Sequence, residues 1–269
     1  MGRIDMGSLA DLKALLHQHG LAPCRAKGQN FLFPESIQRR IVQQIGAVPP
    51  MILEIGPGLG GLTQALRAEY PDSSLILMEK DVRFAEILAQ RIPNSTLILG
   101  DALALDWMPY EGATLIGNLP YNVSVPLVLR YVRHADLFPQ AIFMFQREVG
   151  QRIMALPKSK AYGRLSVMIQ AYTKVSKVMD LPSSVFWPKP AVDSMLLQFH
   201  RLDPMNTLAF SDLEPVVAAA FQHRRKMMTY GLASLGIPLE EAPFQLRVRA
   251  EEVSVPEFIR LAQWVKTVR

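Results

Sequence analysis

Asn118-Leu119-Pro120-Tyr121 follows the apolar run Ala113-Thr114-Leu115-Ile116-Gly117 and precedes a stretch of helical character. These residue types suit the activation of an exocyclic amine on a planar base. Asn118 supplies a side-chain carbonyl oxygen, the Pro120 backbone carbonyl is expected to be free as a second acceptor, and Tyr121 adds a flat face. Two acceptors gripping one NH2 group hold its lone pair out of conjugation, and stacking of a base on an aromatic ring is worth about 1–3 kcal/mol. Read alone, the four residues are more simply an Asn/Pro turn that closes a strand. The choice between the two depends on what else the chain brings to the same place.

The positioning elements are those of an α/β chain. Short apolar runs alternate with amphipathic stretches: Met51–Ile55, Leu75–Met78, Thr96–Leu99, Ala113–Ile116 and Ala141–Phe145 read as strands, with helices such as Leu62–Tyr70 and Val82–Arg91 between them. This rhythm predicts a Rossmann-like, doubly wound, mostly parallel sheet. Val175–Leu181 and Met195–His200 follow without a long helix between them, so an antiparallel edge hairpin is expected. Beyond Arg201-Leu202-Asp203-Pro204 the pattern turns helical, with Ser211–His223, Lys226–Leu235 and Val255–Val268. Ser211 and Ser254 are expected N-caps, completed by Glu214 and Glu257. The predicted division is a catalytic domain over 1–203, with an N-terminal helical extension at Leu9–His19 and Glu35–Ile45, and a small helical domain over 204–269.

At 269 residues the chain can bury a full core, and no apolar stretch approaches the length of a membrane span. The N-terminal Met1-Gly2-Arg3-Ile4-Asp5-Met6 lacks a charged-then-apolar layout, so a cytoplasmic location is expected. A single cysteine, Cys24, excludes an internal disulfide and a cysteine-based zinc site, and the five histidines show no ligand spacing, so no metal is expected. Net charge is +5. It is concentrated: from Gln146 to Lys189 there are eight basic residues, among them Arg147, Arg152, Arg164 and Lys189, against Glu148 and Asp180. A charge run is commonly a solvated face, but this one begins close behind the Asn-Leu-Pro-Tyr turn, where a phosphate-gripping surface would serve a base pocket.

Glu54-Ile55-Gly56-Pro57-Gly58-Leu59-Gly60-Gly61 follows the first strand and opens a helix, and Glu79 closes the second strand, placed to accept both hydroxyls of an adenosine ribose. Gly56, Gly58 and Gly61 also fit the spacing of an NAD site. Three features favour S-adenosyl-L-methionine: the acid Glu54 just before the glycines, Asp101 at the third strand end as acceptor for the adenine amine, and Asn118 at the fourth. Singly, Glu79 and Asp101 could each be a helix cap or turn acid; their placement at successive strand ends argues for a ligand.

These segments, with Gly28-Gln29-Asn30-Phe31-Leu32, Phe145-Gln146-Arg147-Glu148-Val149, Tyr162–Val167, Val185–Ser194 and Phe221-Gln222-His223-Arg224-Arg225-Lys226, resemble the KsgA-type rRNA adenine N6,N6-dimethyltransferase family over nearly the whole chain. The resemblance implies dimethylation of two adjacent adenines near the 3′ end of small-subunit (16S) rRNA, in an immature 30S particle, by a monomer that converts S-adenosyl-L-methionine to S-adenosyl-L-homocysteine. It implies cofactor contacts at Asn30, Leu32, Gly56, Gly58, Glu79, Asp101 and Asn118, packing of Phe186 on the target base, and RNA contacts at Arg224, Arg225 and Lys226. The departures are small: Val123 where Ile is common, and His223 where Gln or a basic residue is common. Related alternatives are the sister family acting on a large-subunit adenine, an assembly or transcription factor that keeps the fold without catalysis, and a protein-glutamine methyltransferase.

Overall fold

The structure is a computed structural model and describes residues 8–24, 28–202, 208–223 and 225–268. The elements in chain order are α1 (Leu9–Gln18), β1 (Phe31–Leu32), α2 (Glu35–Val42), β2 (Met51–Ile55), α3 (Gly61–Glu69), β3 (Ser74–Glu79), α4 (Val82–Arg91), β4 (Thr96–Leu99), β5 (Thr114–Gly117), α5 (Ser124–Arg133), β6 (Gln140–Gln146), α6 (Arg147–Ile153), α7 (Arg164–Gln170), β7 (Thr173–Leu181), β8 (Phe186–Trp187), β9 (Ser194–Arg201), α8 (Phe210–Ala220), α9 (Thr229–Leu232) and α10 (Val255–Val268).

Seven strands form one sheet in the order β4-β3-β2-β5-β6-β9-β7. β2 pairs parallel with both β3 and β5, β3 with β4, and β5 with β6. The chain therefore runs outward from β2 in one direction and resumes at β5 in the other, which makes the crevice beyond the carboxyl ends of β2 and β5 the switch point where such sheets bind ligands. Continuous apolar runs suit strands covered on both faces: Ile52, Leu53, Leu77, Leu115, Ile116, Ile142 and Met144 are all buried. Gly117 is fixed by crowding, since a Cβ there would lie 2.7 Å from the Ile55 carbonyl oxygen at the tip of β2.

Contacts group the chain into two compact units, one of residues 1–127, 136–147 and 177–199, the other of 128–135, 148–176 and 200–269. The second unit thus takes in more of the chain than 204–269, and the expected boundary at 203/204 lies outside the described residues. In the first unit a two-stranded antiparallel ladder, β1 with β8, pairs Phe31 with Trp187 and Leu32 with Phe186. It pins the 28–32 loop, while α1 packs Leu12, Leu15 and Leu16 on Leu59 of the glycine loop and on Phe84 and Ile87 of α4. In the second unit α8 packs on α7, α9 and α10, the Tyr162 hydroxyl donates to the Val253 carbonyl, and Phe221 stacks on Phe258.

Ser254 N–H and Oγ both donate to Glu257, at 2.8 and 2.6 Å, which gives the reach-back half of the expected box at the start of α10. Ser211 is a correction. Ala209 occupies the N-cap of α8 and Ser211 lies inside the helix, because Glu214 faces Arg164 at 2.7 Å instead of reaching back to the helix start. No helix of the described residues is long and apolar enough to cross a membrane.

Candidate active site

A cavity of about 410 Å³ opens at the switch point, lined by the 28–32 loop, the glycine loop from Gly56 to Leu62, Glu79-Lys80-Asp81, Phe84, Asn118 and Pro120. Gly56 and Gly58 have φ of +68° and +58°, the left-handed region that side chains rarely adopt, which lets the loop turn its backbone toward the cavity. Glu79 is buried, and its two oxygens accept the Gly58 and Asp81 N–H groups at 2.9 and 2.8 Å. Burial pushes its carboxyl up, against those backbone bonds. Each oxygen keeps a lone-pair direction for a ligand hydroxyl.

Glu54 lies deeper, 1% exposed. Burial pushes its carboxyl up to about 8; the nearby Thr63 hydroxyl opposes the shift and the charge of Glu79 adds to it. Thr63 comes close without a well-formed bond, so Glu54 Oε2 and Thr63 Oγ1 are both buried without a hydrogen-bond partner. Orphaned polar atoms of this kind are rare in native interiors. Glu54 and Glu79 both line the cavity, an arrangement suited to a ligand carrying both a cationic group and a diol.

Asn118 sits at the end of β5, and its Nδ2 donates to the Asn30 carbonyl at 2.9 Å. That bond ties the two motifs together across the chain and leaves Oδ1 to accept. The Pro120 carbonyl is not free: the Val123 N–H donates to it at 3.0 Å, closing the turn into α5, and one lone pair remains. Tyr121 lines a second cavity, of about 620 Å³, that shares Gly28, Asn30 and Asn122 with the first and has Gln146 and Pro188-Lys189-Pro190-Ala191 as its other walls. Its hydroxyl lies 2.6 Å from Ser194 Oγ.

The remaining expected residues among those described lie outside the lining of the first cavity. Asp101 is absent from the lining of the first cavity; its Oδ2 pairs with Lys80 Nζ at 2.7 Å and its Oδ1 accepts the Leu103 N–H at 2.9 Å. Phe186, expected against the target base, is 2% exposed, packs among Leu32, Leu181 and Leu196 in the core and lines neither cavity, so here it supports β1. Arg147 faces Asp180 and Asp193 at 3.8 and 3.6 Å, and Arg164 is engaged by Glu214. Arg152, Lys189, Arg225 and Lys226 are exposed, with Lys226 over the Tyr230 ring, and Arg224 lies outside the described residues. Among the described residues no cluster of His, Cys, Asp or Glu could hold a metal.

Sequence reading missed Gln38, whose buried amide donates to the Leu32 carbonyl at 2.8 Å, because a glutamine within α2 carries no pattern that separates it from a surface residue. It also missed Lys80, which directly follows Glu79, and Ser194, which ends a segment quoted for other reasons.

A mostly parallel seven-stranded sheet with a glycine loop, a strand-end acid and Asn-Leu-Pro-Tyr at its switch point defines a class I methyltransferase fold. Solved structures agree: a dimethyladenosine transferase from Plasmodium falciparum superposes with TM-score 0.74 at 22% identity, over 86% of this chain and 96% of that one. The 23S rRNA methyltransferase ErmE superposes with TM-score 0.66 at 22% identity, over 88% and 99%. The chain belongs to the ribosomal RNA adenine dimethylase family, which it matches over residues 25–267. Its curated relatives include Ribosomal RNA small subunit methyltransferase A of Phenylobacterium zucineum, 38% identical over 96% of this chain and 94% of that protein, and of Bordetella avium, 40% identical over 87% and 92%.

Proposed function

We propose that this chain dimethylates N6 of two adjacent adenines near the 3′ end of small-subunit rRNA, acting as a cytoplasmic monomer on an immature 30S particle. Membership of the adenine dimethylase family and relatives named for the small subunit support the reaction and the acceptor. The observation that carries it is the Asn118–Asn30 bond, which commits the Asn118 amide NH2 and leaves Oδ1 as an acceptor at the end of β5.

The first cavity suits S-adenosyl-L-methionine. Glu79 would take the ribose hydroxyls, and Glu54, whose buried Oε2 has no hydrogen-bond partner, lines the cavity where a cationic amino acid moiety would meet it. Bound there, the cofactor would supply the electrophilic methyl group and leave as S-adenosyl-L-homocysteine. The chain's own contribution is positional. Asn118 Oδ1 and the remaining lone pair of the Pro120 carbonyl accept the two N6 hydrogens, and both bonds strengthen as the nitrogen becomes tetrahedral. Tyr121 offers its ring as a wall for the extruded base. Neither amide oxygen is basic enough to retain the proton shed by N6, which passes to solvent.

The test is transfer of labelled methyl groups to purified, unmethylated small ribosomal subunits, with modified positions mapped by primer extension. Two adjacent dimethylated adenines near the 3′ end are expected. Labelling confined to large subunits, or none, overturns the reading.

A further inference from the structure

The hydroxyl of Tyr121 is turned away from chemistry. It meets Ser194 Oγ at 2.6 Å, and Ser194 is fully buried at the first residue of β9. A buried hydroxyl requires a partner. If Tyr121 swung its hydroxyl onto a base, Ser194 would lose this one, a penalty equivalent to about tenfold or more in population. The residue before it is equally constrained: the Asp193 carbonyl accepts the Arg147 N–H at 2.9 Å, and Asp193 Oδ1 accepts the Ser183 N–H at 2.9 Å. The Arg147 guanidinium faces Asp193 Oδ2 at 3.6 Å. Ser194 is thus a fixed point on the sheet, at the end of the 188–191 segment that walls the second cavity.

We propose that Ser194 is a positioning residue for the transfer, holding the Tyr121 hydroxyl so that the ring stands as a fixed wall of the base cavity and offers a face, not a donor, to the adenine. This rests on the adenine N6 reading above. It explains why tyrosine stands at this position: phenylalanine has the same face and no means of fixing it.

The experiment compares Tyr121→Phe, Ser194→Ala, Ser194→Thr and the double variant Tyr121→Phe/Ser194→Ala on unmethylated small subunits, with wild type alongside. Calorimetry gives the S-adenosyl-L-homocysteine Kd. Each single removal should lower kcat by about tenfold, the loss of one buried hydrogen bond, with Kd within about twofold of wild type. The double should be no worse than either single, and Ser194→Thr should restore most of kcat. Unchanged kcat in the singles, losses that multiply in the double, or a Kd that weakens in step with kcat overturns the proposal. An inactive wild type overturns the proposed function instead. Tyr121→Phe, at a half-buried position, keeps the comparison interpretable if Ser194→Ala folds poorly.

Discussion

Gly61→Ala probes how the glycine loop is seated. Gly61 is the first residue of α3, and a Cβ there would lie 2.8 Å from Gln38 Nε2 and 3.2 Å from the Leu32 carbonyl oxygen. A side-chain end can move aside, but the Gln38 amide is buried and bonded to that same carbonyl. Displacing it leaves a buried donor and a buried acceptor unpaired, about 1–3 kcal/mol. Alanine's helix propensity returns at most about 1 kcal/mol, less at a first-turn position. The expected net is a loss of about 1–2 kcal/mol, read from urea midpoints at constant m. Gln38→Ala breaks the same bond and should cost a similar amount. With Gln38 already gone, Gly61→Ala meets only the Leu32 oxygen and should be nearly neutral. Because Leu32 lines the first cavity, the single variant should also bind S-adenosyl-L-homocysteine more weakly. The same cost in both backgrounds, or no cost in the wild type, refutes the reasoning.

Burial holds the Glu54 carboxyl at about 8 against an ordinary 4.5, so the folded chain keeps a proton that the unfolded chain releases. The resulting stability is full below about 4.5 and drains as pH rises through about 8, so relative to Glu54→Gln the wild type should lose up to about 1.4 kcal/mol per pH unit across that window. Parallel pH profiles of unfolding free energy contradict this. Asn118→Ala should nearly abolish turnover while leaving cofactor binding weakened but measurable by calorimetry; near-normal methylation sinks the acceptor role. Lys189 is exposed on the second cavity, so Lys189→Ala should reduce the salt slope of rRNA binding by about 0.7–0.9. Arg164 is already engaged by Glu214, so Arg164→Ala should change that slope less; equal changes in the two would show that the ion pair does not persist on RNA.

Periodicity placed the five parallel strands and the helices between β2 and β4 to within about a residue, because buried parallel strands and amphipathic crossovers write their environment into the chain, whereas the two-residue strands β1 and β8 carry no period and were not expected. Met51–Ile55, Thr96–Leu99 and Val82–Arg91 have the expected bounds. The small helical region was less legible: Thr229–Leu232 is one turn followed by a 3-10 segment, where a continuous helix to Leu235 was expected. What motifs could not reveal was which polar groups are already engaged. Arg147 counts as a free cation in a charge tally, yet it faces two aspartates, one nearly fifty residues away. Phe186 is apolar by type, which does not separate a core position from a stacking face, and the structure pairs it opposite Leu32 with 2% of it exposed.

The site residues share a division of labour that explains their chemical identity. Asn118 uses its NH2 on Asn30 and keeps its oxygen; aspartate would set a charge against that carbonyl. Glu79 gives each oxygen one backbone N–H and keeps further lone pairs. The Pro120 carbonyl closes its turn with one lone pair and keeps the other, and Tyr121 ties its hydroxyl to Ser194 and keeps its face. Each group spends part of its bonding capacity on the protein and keeps the rest, so these side chains and carbonyls are held in place without a ligand, the kind of preorganisation on which electrostatic catalysis relies. Asp101 is the exception, with one oxygen on Lys80 and the other on the Leu103 N–H. The Lys80 side chain is 74% exposed, and exposed pairs of this kind contribute about 0–1 kcal/mol. Of these contacts the Lys80–Asp101 pair is therefore the one held least firmly.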